Sequence, residues 1–337
     1  MIDPAQELVP EDVAVASPAI APSPITAPAP AVLALERAAA PWPSTFRRTA
    51  AAVVRGARPK QWMKNVLVFA APGAAGVLGH ERVLVRTSVA FAAFCLVASA
   101  TYLLNDVVDA ETDRRHARKR SRPVASGELS PGAALAAAVA IGAAGLALGA
   151  AVGLPFLAAL GVYVASSVSY SLWLKRVAVV EMGVVASGFI VRAVAGSLVA
   201  SVHLSQWFLI LTSFASLLVV AGKRFAEFRA GGSRTGATRA TLVPYTVEFL
   251  RFVWMTGAAV AITAYCLWAF SRPQADLDFP WGKLSIVPFV LALLRYGLLL
   301  ESGQGESPED LLLADRALQV LALLWLGLFV CGVYLGP

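Results

Sequence analysis

Nine apolar runs dominate this chain, at roughly residues 65–79, 84–107, 131–150, 154–173, 177–199, 205–222, 247–270, 284–300 and 315–336. Most are close to the ~20 residues that an α-helix needs to cross a bilayer. The lipid core offers backbone N–H and C=O groups no partners, so an apolar run that crosses it must satisfy its own hydrogen bonds as a helix. The runs therefore predict an all-α integral membrane protein, a bundle of nine transmembrane helices. The first and eighth are the shortest. With 58% hydrophobic and only 15% charged residues, little of the chain is left for a soluble domain.

The charges are placed rather than spread. With the N-terminus inside, the loops 109–131, 173–181, 222–251 and 295–316 hold 16 Lys/Arg and the N-terminal segment holds 7. The outer loops hold 4: Arg82, Arg86, Arg272 and Lys283. Positive loops stay cytoplasmic, so this asymmetry orients the bundle and puts the C-terminus outside. Runs two, four, six and eight each descend to the cytoplasm and end in a polar cluster, which predicts one cytosol-facing polar cavity. The net charge of +7 forms no basic stripe with interleaved aromatics, so nothing points to nucleic acid. Cys95, Cys266 and Cys331 lie far apart inside apolar runs and imply neither a disulfide nor a zinc site. His80, His116 and His203 do not cluster.

Residues 1–45 form a Pro/Ala-rich tail without a basic start and apolar core, so it is no signal peptide. Proline at this density predicts disorder and leaves 46–337 as the membrane domain. The segment Arg55–Asn65, RGARPKQWMKN, is basic with an aromatic and fits an amphipathic stretch at the membrane surface.

The densest chemistry ends the second run. Asn105, Asp109 and Asp113 stand at i, i+4 and i+8, and at ~100° per residue they share one helix face. Asp106 sits just beside that face. Carboxylates crowded at a membrane surface are costly unless something neutralises them. Hard oxygen ligands of this kind suit Mg²⁺, and Mg²⁺ suits a diphosphate. Six cations follow, Arg114, Arg115, Arg118, Lys119, Arg120 and Arg122, and suit the same anion. A solvated helix end beside a positive loop would also carry acids, but rarely so many so close together.

Three further clusters occupy cytoplasmic ends. In the first, Tyr170, Lys175 and Arg176 could meet a phosphate, or serve as an interfacial belt and a positive loop. Glu181, just inside the next run, either pairs with a cation or belongs to a site. In the second, Lys223 and Glu227 stand at i, i+4 and could pair with each other, or Lys223 and Arg224 could bind an anion. A TGAT loop follows at 235–238. In the third, after Arg295-Tyr296, Ser307-Pro308-Glu309-Asp310 reads as a helix start. Arg192, inside the 177–199 run, needs a partner or a polar cavity. No Ser-His-Asp set, P-loop, G-x-G-x-x-G or H-E-x-x-H occurs, so covalent hydrolysis and nucleotide hydrolysis find no support.

The N-x-x-x-D-x-x-x-D of Asn105, Asp109 and Asp113 resembles the motif of the UbiA superfamily of intramembrane transferases, which are nine-helix bundles. The loop from His116 to Gly127 is similar too, with Ala117 where that family usually has proline. The superfamily's second D-x-x-x-D is not intact, since only Glu181 stands in that region and position 185 is Val. Stretches such as RPKQWMKN (58–65), LNDVVDAETD (104–113), VAGKRFAE (220–227) and GESPED (305–310) resemble one branch, the actinobacterial decaprenyl-phosphate phosphoribosyltransferases. In that branch an Asp would stand at position 181.

The resemblance implies Mg²⁺-dependent transfer of 5-phosphoribosyl from phosphoribosyl pyrophosphate to a polyprenyl phosphate such as decaprenyl phosphate, releasing diphosphate. The product would serve cell-wall arabinan (arabinogalactan) synthesis at the plasma membrane, with the active site facing the cytoplasm. It further implies that Asn105, Asp106, Asp109 and Asp113 hold Mg²⁺ and the diphosphate, with Arg118, Lys119 and Arg122 closing over the donor. Tyr170, Lys175 and Glu181 would border the ribose or its 5-phosphate. Lys64, Arg192, Lys223 and Arg224 would meet the acceptor phosphate or balance the acids. The polyprenyl tail would lie in a lateral groove open to membrane lipid. Two alternatives stay open: a prenyltransferase that uses a prenyl diphosphate donor, and a transporter of an anionic lipid or ion. A homo-oligomer is also compatible with the sequence.

Overall fold

A computed structural model describes residues 42–116, 119–231, 245–271, 279–305 and 308–335. Helices α1 (Trp42–Ala57), α2 (Glu81–Val108), α3 (Pro131–Val152), α4 (Leu154–Leu172), α5 (Val180–Ala200), α6 (Gln206–Gly231), α7 (Val247–Ser271), α8 (Ile286–Glu301) and α9 (Arg316–Tyr334) follow in order. No strand occurs among the described residues. Among the described residues, eight helices, α2 to α9 with Trp281–Leu284 extending α8, are long and apolar enough to cross a membrane. The chain divides into two compact units, Met1–Arg47 and Arg48–Pro337. Of the first, only residues 42–47, the start of α1, are described; most of the Pro/Ala-rich tail lies outside the described residues.

Local sequence sets most of the boundaries. Ser130 caps α3, its Oγ accepting from the N–H of Ala133, with Pro131 at the first helical position. Gly153, at φ 141°, breaks the chain between α3 and α4, and Pro155 helps start the second helix. Asp315 caps α9 through the N–H of Leu318 at 2.7 Å. Helices α6 and α7 lie very close, and a Cβ on Gly257 would come within 2.9 Å of the Leu218 nitrogen, so glycine is needed there.

The first apolar run departs from expectation. It is not one long α-helix but a 3₁₀ segment, Pro59–Phe69, followed by a single helical turn, Ala70–Ala74. The reason lies in its punctuation. Arg58 precedes a proline, which disfavours the α-conformation and stops α1 at Ala57. Pro72, Gly73 and Gly76, the last at φ 75°, prevent a long helix beyond it. At ~2.0 Å per 3₁₀ residue and ~1.5 Å per α-residue the segment still extends ~30 Å, about the thickness of a hydrocarbon core. It packs against both α2 and α5, with Asn65 and Val68 fully buried. A Cβ on Gly196 of α5 would lie 2.0 Å from the Val68 carbonyl oxygen, so only glycine admits this approach. Within the basic stretch 55–65, α1 ends at Ala57 and the 3₁₀ segment begins at Pro59.

Candidate active site

The acid motif straddles the end of α2. Helix α2 stops at Val108 and a short helix runs on from Ala110 to Arg115. The ladder does not lapse: Asp109 N–H donates to the Asn105 carbonyl at 2.9 Å, and Asp113 N–H to the Asp109 carbonyl at 2.8 Å. The i, i+4, i+8 register of Asn105, Asp109 and Asp113 therefore survives the interruption. Their side chains nonetheless part company. Asp113 is buried, and its Oδ2 accepts from Arg122 Nη1 at 2.5 Å. Lys119 approaches the same carboxylate at 3.9 Å. Asp106, only 2% exposed, accepts from Arg58 and also from Arg122 Nη1 at 3.2 Å. Asp109 pairs instead with Lys175, reached from the turn that follows α4. Asn105 is half-buried beside them. Arg118 lies outside the described residues.

Asp106 and Asp113 are seven residues apart, so on a helix they drift only ~20° and fall closer in angle than Asn105 and Asp113. One guanidinium can therefore reach both. Arg58, which residue-type reasoning did not single out, is the partner that most changes the picture. It stands at the joint between α1 and the 3₁₀ segment at φ 54°, ψ 63°, with its guanidinium 5.2 Å from the centre of the Tyr102 ring. The legible signal was its place before Pro59, where the chain must turn.

A second polar centre forms where α5 meets α6. Glu181 is 1% exposed, and both of its oxygens accept from Arg224, at 2.8 Å each. Arg224 also donates to Glu227 at 2.7 Å. Of the two roles open to Glu181, the structure shows pairing with a cation. The turn before it is strained. Val179 sits at φ 65°, the Val180 N–H reaches back to the Ala178 carbonyl at 2.8 Å, and the Val179 N–H donates to Tyr245 Oη at 2.6 Å.

Beside this centre lies a cavity of about 170 Å³ lined by Lys64, Tyr170, Lys223 and Arg224. It shares Lys64, Phe189, Val219 and Pro308 with an apolar groove of about 420 Å³. Leu218, Phe289, Leu293, Leu312 and Trp325 wall that groove. Four of the expected site residues thus meet at one mouth, and the groove leading from it is hydrocarbon-like. The TGAT loop lies outside the described residues, as does Ser307. The helix expected after Ser307 is present as Pro308–Ala314.

Arg192 is set apart from both centres. It is 5% exposed and donates to Asn65 Oδ1 at 2.7 Å, Tyr163 Oη at 3.0 Å and the Gly188 carbonyl at 2.6 Å. The Tyr163 ring lies 4.5 Å from its guanidinium. This buried cation is satisfied by neutral groups and fastens the 3₁₀ segment to α5 and α4. No acid is among these partners.

Among the described residues, no group of three His, Cys, Asp or Glu is close enough to hold a metal ion. Mg²⁺ does not require one, since it commonly binds through one or two carboxylates and completes its shell with water and substrate phosphates. Asp109 and Asp113, with the amide of Asn105, are hard donors on a single face, and each carboxylate is balanced by a cation that a phosphate could draw away. The donor set fits the ion.

The UbiA prenyltransferase family matches residues 66–327. The chain is 43% identical over 291 residues to a decaprenyl-phosphate phosphoribosyltransferase of Corynebacterium glutamicum, covering 85% of this chain and 87% of that one. It is 44% identical over 291 residues to the Mycobacterium tuberculosis protein of the same name, covering 85% and 95%. A UbiA homologue from Archaeoglobus fulgidus bound to DMAPP and Mg²⁺ superposes with a TM-score of 0.64 at 15% identity, covering 84% of this chain and 98% of the other. The same homologue bound to GPP and Mg²⁺ gives 0.63 at 16% identity, covering 84% and 99%. At that identity the likeness shows the fold alone. The eight spans, the broken first segment and the acid motif at the end of α2 have one home: this multi-pass membrane protein belongs to the UbiA prenyltransferase family.

Proposed function

We propose that this protein transfers 5-phosphoribosyl from phosphoribosyl pyrophosphate to a polyprenyl phosphate, releasing diphosphate. The single observation that carries the reading is the identity of more than two-fifths, over most of the chain, to proteins named decaprenyl-phosphate phosphoribosyltransferase. The geometry supports it with two different sites. One is an acid motif ringed by exchangeable cations. The other is a cationic cavity opening into an apolar groove. A diphosphate donor suits the first and a lipid phosphate suits the second.

In the reaction, the bond from ribose C1 to the diphosphate oxygen breaks and the diphosphate leaves with the electron pair. An oxygen of the acceptor phosphate then bonds to C1. When bound through Asp109, Asp113 and Asn105, Mg²⁺ would neutralise the charge that develops on the leaving diphosphate. Arg122, Lys119 and Lys175 sit on those acids and would shift to the donor's phosphates, joined by Arg118, which precedes Lys119 in the sequence. Positive charge builds at C1 as the bond loosens, and the acid motif is placed to favour it. The acceptor monoester is largely ionised above its second pKa of ~6, so it needs no strong base. That agrees with the lack of any paired histidine in the sequence. Lys64 and Lys223 would hold the acceptor phosphate, with Tyr170 as a hydroxyl donor, while Arg224 stays fixed on Glu181. The 420 Å³ groove would take the first isoprene units of the tail and leave the rest to lipid. Catalysis is then positioning and electrostatics. The positive loops support a mouth that opens to the cytoplasm, where a soluble sugar phosphate is available.

The test is a comparison of donors on purified protein in detergent. Phosphoribosyl pyrophosphate should label a polyprenyl phosphate in Mg²⁺, and EDTA should stop it. Turnover of a prenyl diphosphate in its place would return the chain to the prenyl-transferring members of its family.

A further inference from the structure

We propose that Arg58 is a positioning residue that divides the acid motif. It keeps Asp106 neutralised by the protein, so that Arg122 is free to leave for the donor's diphosphate and Asp113 is free to face the metal. This rests on reading the acid motif as the donor site.

Three observations carry it. First, two guanidiniums converge on one buried oxygen, since Arg58 and Arg122 both donate to Asp106 Oδ1. Arg122 is not shared equally: its Nη1 is 2.5 Å from Asp113 and 3.2 Å from Asp106. Arg58 therefore belongs to Asp106, and Arg122 chiefly to Asp113. Second, Arg58 is held by more than the ion pair. It occupies the left-handed region at φ 54°, a conformation a non-glycine side chain rarely adopts, and its guanidinium lies against Tyr102. The surrounding backbone fixes it there, with Arg58 N–H donating to the Arg55 carbonyl and Arg58 C=O accepting from Gln61 N–H. Third, the counter-ions differ. Asp106 and Asp113 are equally buried, at 2% exposed, but Asp106 is met by Arg58 from the joint after α1, whereas Asp113 is met by Arg122 and Lys119 from the loop that follows it, and Asp109 by Lys175. A carboxylate whose counter-ion is fixed by the scaffold is an anchor, and one whose counter-ions can move to a substrate is a ligand. The resemblance-based expectation that all four motif side chains hold metal thus becomes three, with Asp106 in the frame behind them.

The consequence is specific. Without Arg58, Asp106 keeps only Arg122, which is pulled from Asp113 and withheld from the donor. The experiment measures binding of Mg²⁺ with inorganic diphosphate to the full-length protein by calorimetry, alongside donor KM and kcat. Arg58→Gln should weaken diphosphate binding and raise donor KM about ten-fold, the scale of one charged hydrogen bond, with kcat little changed. Arg58→Lys should recover most of the loss. The double variant Arg58→Gln/Asp106→Asn should also recover it, because Arg122 is released. Asp106→Asn alone should keep Mg²⁺–diphosphate affinity while Asp113→Asn loses it. A double variant as impaired as Arg58→Gln, or an Asp106→Asn as impaired as Asp113→Asn, would overturn the proposal. A wild-type protein that binds no Mg²⁺–diphosphate would instead overturn the donor-site reading itself.

Discussion

The acid motif and the Glu181–Arg224 centre are both built from acids and arginines, yet they differ in what can reach them. At the motif, the side chains of Arg122, Lys175 and Asp109 are 21–24% exposed. At the second centre, Glu181 and Arg224 are 1% and 5% exposed and meet through two matched hydrogen bonds. An anion from solution can compete for the first set of cations but not for the second. Exposure, more than residue type, separates charges that an anion from solution can reach from a pair that is closed to it.

That comparison can be broken. The largest effect is expected from Asp109→Asn, which should lower transfer about 10²–10³-fold or more in a protein that still unfolds at the normal temperature. Near-normal turnover would remove the motif from the donor site. Glu181→Gln should do the reverse. Arg224 would keep Glu227 but lose its buried charged partner, which should cost about 1–3 kcal/mol in a denaturation series. Replacing both partners with apolar residues of similar size should recover most of it. If Glu181→Gln instead unfolded normally and lost turnover, the two centres would not be different in kind. Next comes Lys223→Ala, expected to raise KM for the lipid phosphate about ten-fold while leaving donor KM alone.

The smallest effect concerns an ion pair outside both centres. Arg295, at 2.6 Å, holds the Asp315 carboxyl below the usual carboxylate range, helped by the Leu318 N–H. Its stabilisation is therefore present above the unfolded value of ~3.9 and is lost as pH falls through the lower folded one. Asp315→Asn should lower thermal stability slightly at neutral pH, leave it little changed below the folded value, and so flatten that part of the acid limb.

The eight long helices were legible because hydropathy acts over ~20 residues and averages out local detail. The first run was misread for the opposite reason. Pro72, Gly73 and Gly76 act on single backbone angles, and an apolar average over 65–79 conceals them. At the site, residue types and helical register placed Asn105, Asp109 and Asp113 correctly on one face. Register could not say which cation each acid meets, because Arg58, Arg122 and Lys175 arrive from other parts of the chain. The charge of Arg192 asked for a partner or a polar cavity, and its neutral partners Asn65 and Tyr163 became visible once the 3₁₀ segment was placed beside α5.

The most direct measurement follows two labels through one reaction. Phosphoribosyl pyrophosphate carrying label either in its 5-phosphate or in its diphosphate would be given to the purified protein with a polyprenyl phosphate and Mg²⁺. The account predicts that the 5-phosphate label moves into the lipid phase while the diphosphate label stays in water. Both labels remaining in water with the lipid unchanged, or the diphosphate label entering the lipid, would contradict it.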